Sequence, residues 1–188
     1  MSSQHDSHSA CKNYNEGGWV KTILGFKIGL AIALLPCTGM AEERGQPQNI
    51  WQFIPAASSA IKSLSIDNLD GSLLTLRLSN ENEYINFYTA EPVKLADGLL
   101  ISAIELRLSK NRPAIPPFFV FSPSNQCITP AIVKEHYHDL SMTDYPRGRS
   151  ENEVTSLSTP ADINGQKISF SFTVKDPDCL ARVVIVGD

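Results

Sequence analysis

The chain has 188 residues, 42% of them apolar, 8% aromatic and 19% charged, with a formal net charge of −4. That composition suits a globular protein and excludes collagen-like, low-complexity and strongly charged disordered chains. The excess of acids argues against nucleic acid as a partner, because phosphate binding needs a basic surface.

Residues 1–19 (MSSQHDSHSACKNYNEGGW) have no apolar period of helix or strand type, so a disordered polar leader is expected. Lys21 and Lys27 then precede the apolar run Ile28–Leu35, which Pro36 closes before the small-residue stretch Cys37–Ala41. A basic start, about 7 to 15 apolar residues and small residues at Gly39 and Ala41 describe a secretory signal helix over residues 20–41, cleaved after Ala41. The alternative is an uncleaved anchor, which needs about 20 apolar residues and would have to bury Lys27 or let it snorkel. Lipidation at Cys37 is disfavoured by Pro36, which stands where a small residue is expected. Translation from Val20 would give a more compact signal.

Cleavage would leave 147 residues, the size of one domain, carrying a net charge of −5. Cys11 and Cys37 leave with the leader, so only Cys127 and Cys179 remain. An even pair in an exported protein reads as a disulfide. Closing a loop of about 53 residues stabilises a fold by roughly 4 kcal/mol on the chain-entropy account.

Residues 42–49 (EERGQPQN) read as a flexible lead-in, and residues 50–188 as a single β-sandwich domain. Ile50–Ile54 is a short strand candidate closed by Pro55. Ala60–Ile66 is expected to pair across Asp70-Gly71 with Leu73–Leu78, whose Leu74, Leu76 and Leu78 share one face. Asn80-Glu81-Asn82 turns the chain into the strand-prone Tyr84–Tyr88. Asp97-Gly98 joins Val93–Ala96 to Leu99–Leu108 in a second hairpin, with a bulge near Ser102 and Ala103 where the alternation loses phase.

Ser109–Pro117 contains three prolines and is unfit for a central strand. Phe118–Phe121 reads as a fully buried strand. Asn164-Gly165 introduces a strand with Ile168, Phe170, Phe172 and Val174 inward, and Leu180–Val186 is the last strand. Short strands separated by Gly, Pro, Asn and Asp predict an all-β, antiparallel sandwich of immunoglobulin-like or jelly-roll-like type with long loops.

Residues 129–140 support two readings. Thr129 as N-cap and Pro130 in the first turn suggest a helix. A strand would instead point His136 and His138 the same way, and two such imidazoles could chelate Zn²⁺ with Glu135, Asp139 or Asp144. On a helix the two diverge by about 200° and share no metal. They are thus weak metal candidates, and neither a cofactor nor a catalytic residue is assigned.

Asp67, Asn68 and Asp70 fail the calcium-loop pattern, whose first and twelfth ligands would fall on Ile66 and Arg77. The chain has no Gly-x-Ser-x-Gly elbow, phosphate-cradling loop or dinucleotide fingerprint. Long polar loops are commonly functional, and Ser141–Glu153 is the longest here. It carries Tyr145, Arg147 and Arg149, side-chain types enriched at contact hot spots. Ser109–Pro117, with Ile115 between prolines, is a second candidate surface.

The expectation is an exported, periplasmic or secreted, non-enzymatic protein of the bacterial envelope. Its partner would be another envelope protein or an external one, as for an inhibitor, an immunity-type protein or an accessory subunit. It would meet the membrane only through residues 20–41 if these are uncleaved. The competing classes are a hydrolase using His136, His138 and nearby acids, and a small-ligand carrier, which would need an apolar cavity of several hundred cubic ångströms.

Overall fold

The structure is a computed structural model that describes residues 47–111 and 115–187. The leader, the signal and residues 42–46 of the lead-in lie outside the described residues. Gln48 and Asn49 are held in place: the Gln48 carbonyl accepts from the Asp97 amide at 3.0 Å, and the Asn49 side chain caps the first helix by accepting from the Gln52 amide at 3.0 Å.

That helix, α1 (Ile50–Ile61), stands where a strand was expected. Ile50, Phe53, Ile54, Ala57 and Ile61 recur at helical spacing and are all buried, whereas Pro55 lies on the exposed side. The buried apolar stripe therefore continues past the proline that reads as a strand terminator. Burying a side chain of this kind contributes roughly 1.5–3 kcal/mol. The four large ones, Ile50, Phe53, Ile54 and Ile61, outweigh the roughly 3 kcal/mol that an interior proline costs a helix.

Ala60 and Ile61 end α1 and so do not pair with Leu73–Leu78. A tight turn closes at Ser65 and Asn68, whose backbones exchange two hydrogen bonds of 3.1 Å. Leu74 and Leu76 pack against the core without joining a strand. Leu78 belongs to the edge strand β1 (Arg77–Glu81) and is 53% exposed.

The chain then forms β2 (Ile85–Ala90), β3 (Val93–Lys94), β4 (Leu100–Ser109) and β5 (Phe118–Ser124). Asn82 sets the β1–β2 turn by accepting from the amides of Tyr84 and Ile85, both at 2.8 Å. The Asp97-Gly98 hairpin forms as expected, with Gly98 at φ +90°. So does the bulge: Ala103 adopts φ +47°, and the β4–β5 register shifts between Ser102 and Glu105. Phe118–Phe121 is not buried on both faces; Phe119 and Phe121 are buried while Phe118 and Val120 are half-buried.

Helix α2 (Pro130–His136) follows, then β6 (Ser141–Asp144), β7 (Val154–Ser158), β8 (Lys167–Thr173) and β9 (Leu180–Val186). Phe170 and Phe172 point inward as expected, but Val174 falls past the end of β8 and is 45% exposed.

The strands are antiparallel and hydrogen-bond in the order β1-β2-β4-β5-β9-β8-β7-β6, with β3 paired to β4. Two four-strand meanders thus meet at β5 and β9. The all-β, antiparallel expectation holds; the ladders join into one sheet rather than two. Helix α1 supplies the second layer of the core, with Phe53 edge-on to Phe121 at a centroid distance of 5.2 Å. Among the described residues no helix is long and apolar enough to cross a membrane.

Candidate functional site

The segment Ser141–Glu153 is not one long loop. Its first four residues are β6, an exposed edge strand paired to β7. Cross-strand hydroxyls anchor it: Thr143 Oγ1 lies 2.7 Å from Ser158 Oγ, which lies 2.7 Å from Ser169 Oγ. Ser156 and Ser171 pair beside them at 2.9 Å, and Ser156, Ser158 and Ser171 are buried. Matched hydroxyl pairs of this kind satisfy each other and contribute roughly 0.2–1 kcal/mol each.

Beyond β6 the chain turns sharply. The Asp144 carboxylate accepts from the Tyr145 amide at 2.9 Å, and Gly148 takes a φ of +77°, a left-handed conformation that glycine adopts without steric cost. Three successive amides, those of Arg147, Gly148 and Arg149, then donate to the Glu153 carboxylate, the last two at 2.9 and 3.0 Å. Convergent backbone N–H groups form a concave anion-binding nest, here filled by the chain's own acid. The Glu153 carbonyl in turn accepts from the Val174 amide at 2.9 Å, which ties the loop to the end of β8.

The sequence-predicted contact residues thus share one short, internally braced arc. Tyr145 is 63% exposed, Arg147 and Arg149 are exposed, and neither arginine forms an ion pair among the described residues. Met142, on the adjoining edge strand, is also 63% exposed. Glu153 is the organising residue that sequence reading passes over. An acid five positions after a glycine is too common a spacing to single out.

The histidines are arranged differently. Thr129 Oγ1 accepts from the Ile132 amide at 3.3 Å and Pro130 opens the helix, so α2 forms and the strand alternative does not. His136, the last residue of α2, stacks on Trp51 of α1 with centroids 3.9 Å apart and planes 15° from parallel. His138 lies beyond the C-cap Tyr137 and is exposed. Among the described residues no three His, Cys, Asp or Glu side chains gather as a metal-ligand set, so Glu135, Asp139 and Asp144 do not join the imidazoles in one. Tyr137 packs on Phe170 at 4.9 Å, and burial pushes its phenol pKa above the ordinary value.

Cys127 and Cys179 lie at disulfide distance, with Cα atoms 4.9 Å apart, and join the approach to α2 to the start of β9. The apolar space beneath α1, bordered by Phe53, Leu74, Leu106 and Phe119, holds only about 20 Å³, room for a water and not for an organic ligand. In the proline-rich segment Ile115 is 48% exposed, while residues 112–114 lie outside the described residues. Compared with known proteins, the chain matches no family model, no curated protein and no solved structure, so the case for its function rests on these residues.

Proposed function

We propose that the protein is an exported, non-enzymatic binding module of the bacterial envelope, and that it engages a partner protein through the arc Tyr145–Arg149 and the edge strand β6. One observation carries the reading: Glu153 grips three consecutive amides of the arc, so its exposed Tyr and Arg side chains stand on a backbone that is already ordered. Ordering an interface segment normally opposes association, and a preformed one avoids that cost. Tyr and Arg are the side chains that gain most from such presentation, because they bring large contact areas and directional donors. The outer edge of β6, which no described strand covers, has Met142 exposed and adds backbone donors and acceptors beside them. Export rests on the basic and apolar leader at residues 20–41 and on the Cys127–Cys179 pair.

The test places a photo-crosslinking amino acid at Tyr145 of the chain expressed in its native envelope and identifies the adduct by mass spectrometry. One discrete protein adduct is expected. The variant Tyr145→Ala, Arg147→Ala, Arg149→Ala should then bind that protein at least about tenfold more weakly. Its unfolding curve should match the parent, because all three side chains are exposed. No discrete adduct, or undiminished affinity in the triple variant, would overturn the reading.

A further inference from the structure

The alternation of β4 sends Ile104, Leu106 and Leu108 into the core and Glu105, Arg107 and Ser109 to the opposite face of the sheet. On that face the register sets Arg107 directly between Phe87 of β2 and Phe118 of β5. The guanidinium carbon lies 4.6 Å from the Phe118 ring centroid and 5.5 Å from that of Phe87. Both separations fall within cation–π range, and contact with two rings fixes the plane of the group. Beside it, Ile85, Ile115, Phe118 and Val186 border an open cleft of about 230 Å³ in which, among the described residues, Arg107 is the only charged lining residue.

We propose that this cleft binds a small monocarboxylate with an apolar tail, held by Arg107 at its head. The Nε of Arg107 donates to Glu105 at 2.6 Å, and among the described residues its two Nη atoms meet no protein acceptor. A guanidinium with its outer edge vacant is a fork matched to a carboxylate, and an Arg–carboxylate pair of this kind is commonly bidentate. Its side chain is 43% exposed, so the edge is open to a ligand without rearrangement. The apolar borders would receive the tail, the usual division in small-molecule sites between a few orienting polar groups and an apolar lining. Glu105 takes the Nε edge and leaves the Nη edge for one carboxylate, and its own charge opposes a dianion about twice as strongly as a monoanion. The Ser109 hydroxyl is already engaged with the backbone of Asn111, which among the described residues leaves Arg107 as the recognising group. In strand order this cleft lies on β2, β4, β5 and β9, remote from the β6 edge, so its occupancy is independent of the protein-binding role.

Octanoate is the probe, titrated into the purified full chain and followed by the NMR signal of the Arg107 Nε–H group and by calorimetry. Saturable 1:1 binding that shifts the Arg107 signal is expected. Octylamine, which has the same tail and the opposite charge, should leave the signal in place. Arg107→Met should weaken octanoate binding by about tenfold or more, the loss expected for charge-assisted hydrogen bonds, and Arg107→Lys should restore it only in part. Overturning results are an unmoved Arg107 signal at saturating octanoate, equal binding of octylamine, or Arg107→Met binding as the parent does. The wild-type signal decides the matter even if a variant fails to fold.

Discussion

Gln166 shows how far a single side chain can act. It is 4% exposed, its Nε2 donates to the Ser58 carbonyl at 3.0 Å, and its Oε1 accepts from the Ser58 hydroxyl. This one amide fastens α1 to the turn before β8. The turn is braced in its own right: Asp162 Oδ1 accepts from the amides of Asn164 and Gln166 at 2.8 and 2.9 Å, while Asp162 Oδ2 meets Lys62 Nζ at 2.7 Å. The Lys62 hydrogen bond, helped by those two amides, holds the Asp162 carboxyl below the ordinary carboxylate pKa. A pKa lowered on folding contributes stability that is complete above the unfolded value of about 3.9 and is lost as pH falls through the folded one. Asp162→Asn should therefore be less stable than the parent at neutral pH. That difference should shrink as the pH drops below the carboxylate range, read from urea midpoints at stepped pH. A difference that stays constant down to the most acid pH at which both fold would contradict this account. Asn164-Gly165 reads in sequence as a turn, and a turn forms, with Gly165 at φ +76°. Nothing in the residues near Gln166 reveals its tie to Ser58, 108 positions away.

Elements were legible in proportion to the apolar contrast along them. The strands β4 and β8 alternate visibly because apolar residues at every second position face the core, whereas β2 and β9 stand out by their aromatic and β-branched residues. In β7, Val154-Thr155-Ser156-Leu157-Ser158, the face away from Phe170 and Phe172 carries Val154 and two serines, Ser156 and Ser158, that bury themselves by pairing with Ser171, Ser169 and Thr143. A strand buried through hydroxyl pairs carries little hydrophobic period, and its edge partner β6 carries less. Helix α2 was legible as an alternative from Thr129-Pro130, since a cap is a local device. The sequence hides helix α1 because Pro55, on its exposed side, interrupts the segment, and Ile50–Ile54 alone resembles a strand. It follows that Pro55→Ala should stabilise the protein, by up to about 3 kcal/mol for a helix interior. The gain is reduced by the unfolded-chain freedom that alanine restores. Urea unfolding of the two forms measures it; a loss of stability would show that the proline ring itself packs usefully.

At the scale of the molecule, the chain crosses after β5 to the far edge at β6, and the pairing of the two meanders depends on β6–β9 returning strand by strand until β9 lies against β5. The Cys127–Cys179 link spans 52 positions and ties the exit of β5 to the entry of β9, at the seam between the meanders. Constraining a loop of that length in the unfolded chain stabilises the fold by about 4 kcal/mol on the entropy account. The double variant Cys127→Ala, Cys179→Ala should therefore unfold at markedly lower denaturant, with a loss of that order. The oxidised parent treated with reductant should move to the same midpoint. A midpoint unchanged by either treatment would mean that the bridge adds nothing to stability.

What the sequence by itself determined is local: the periods of the clearest strands, the turns at Asp97-Gly98 and Asn164-Gly165, the bulge at Ala103 and the pairing of Cys127 with Cys179, with the cap at Thr129 legible as one of two alternatives. Each is written in residues that are neighbours along the chain or in counts that need no geometry. Only the tertiary structure decided that Ile50–Ile61 is helical, that the ladders join into one sheet, that Glu153 holds the Tyr145–Arg149 arc, and that Arg107 lies between two phenylalanine rings. The physical reason is common to all four. The energy that settles each comes from burial, stacking or hydrogen bonds whose partners no local period, cap or turn signal identifies, and they meet only once the chain has folded.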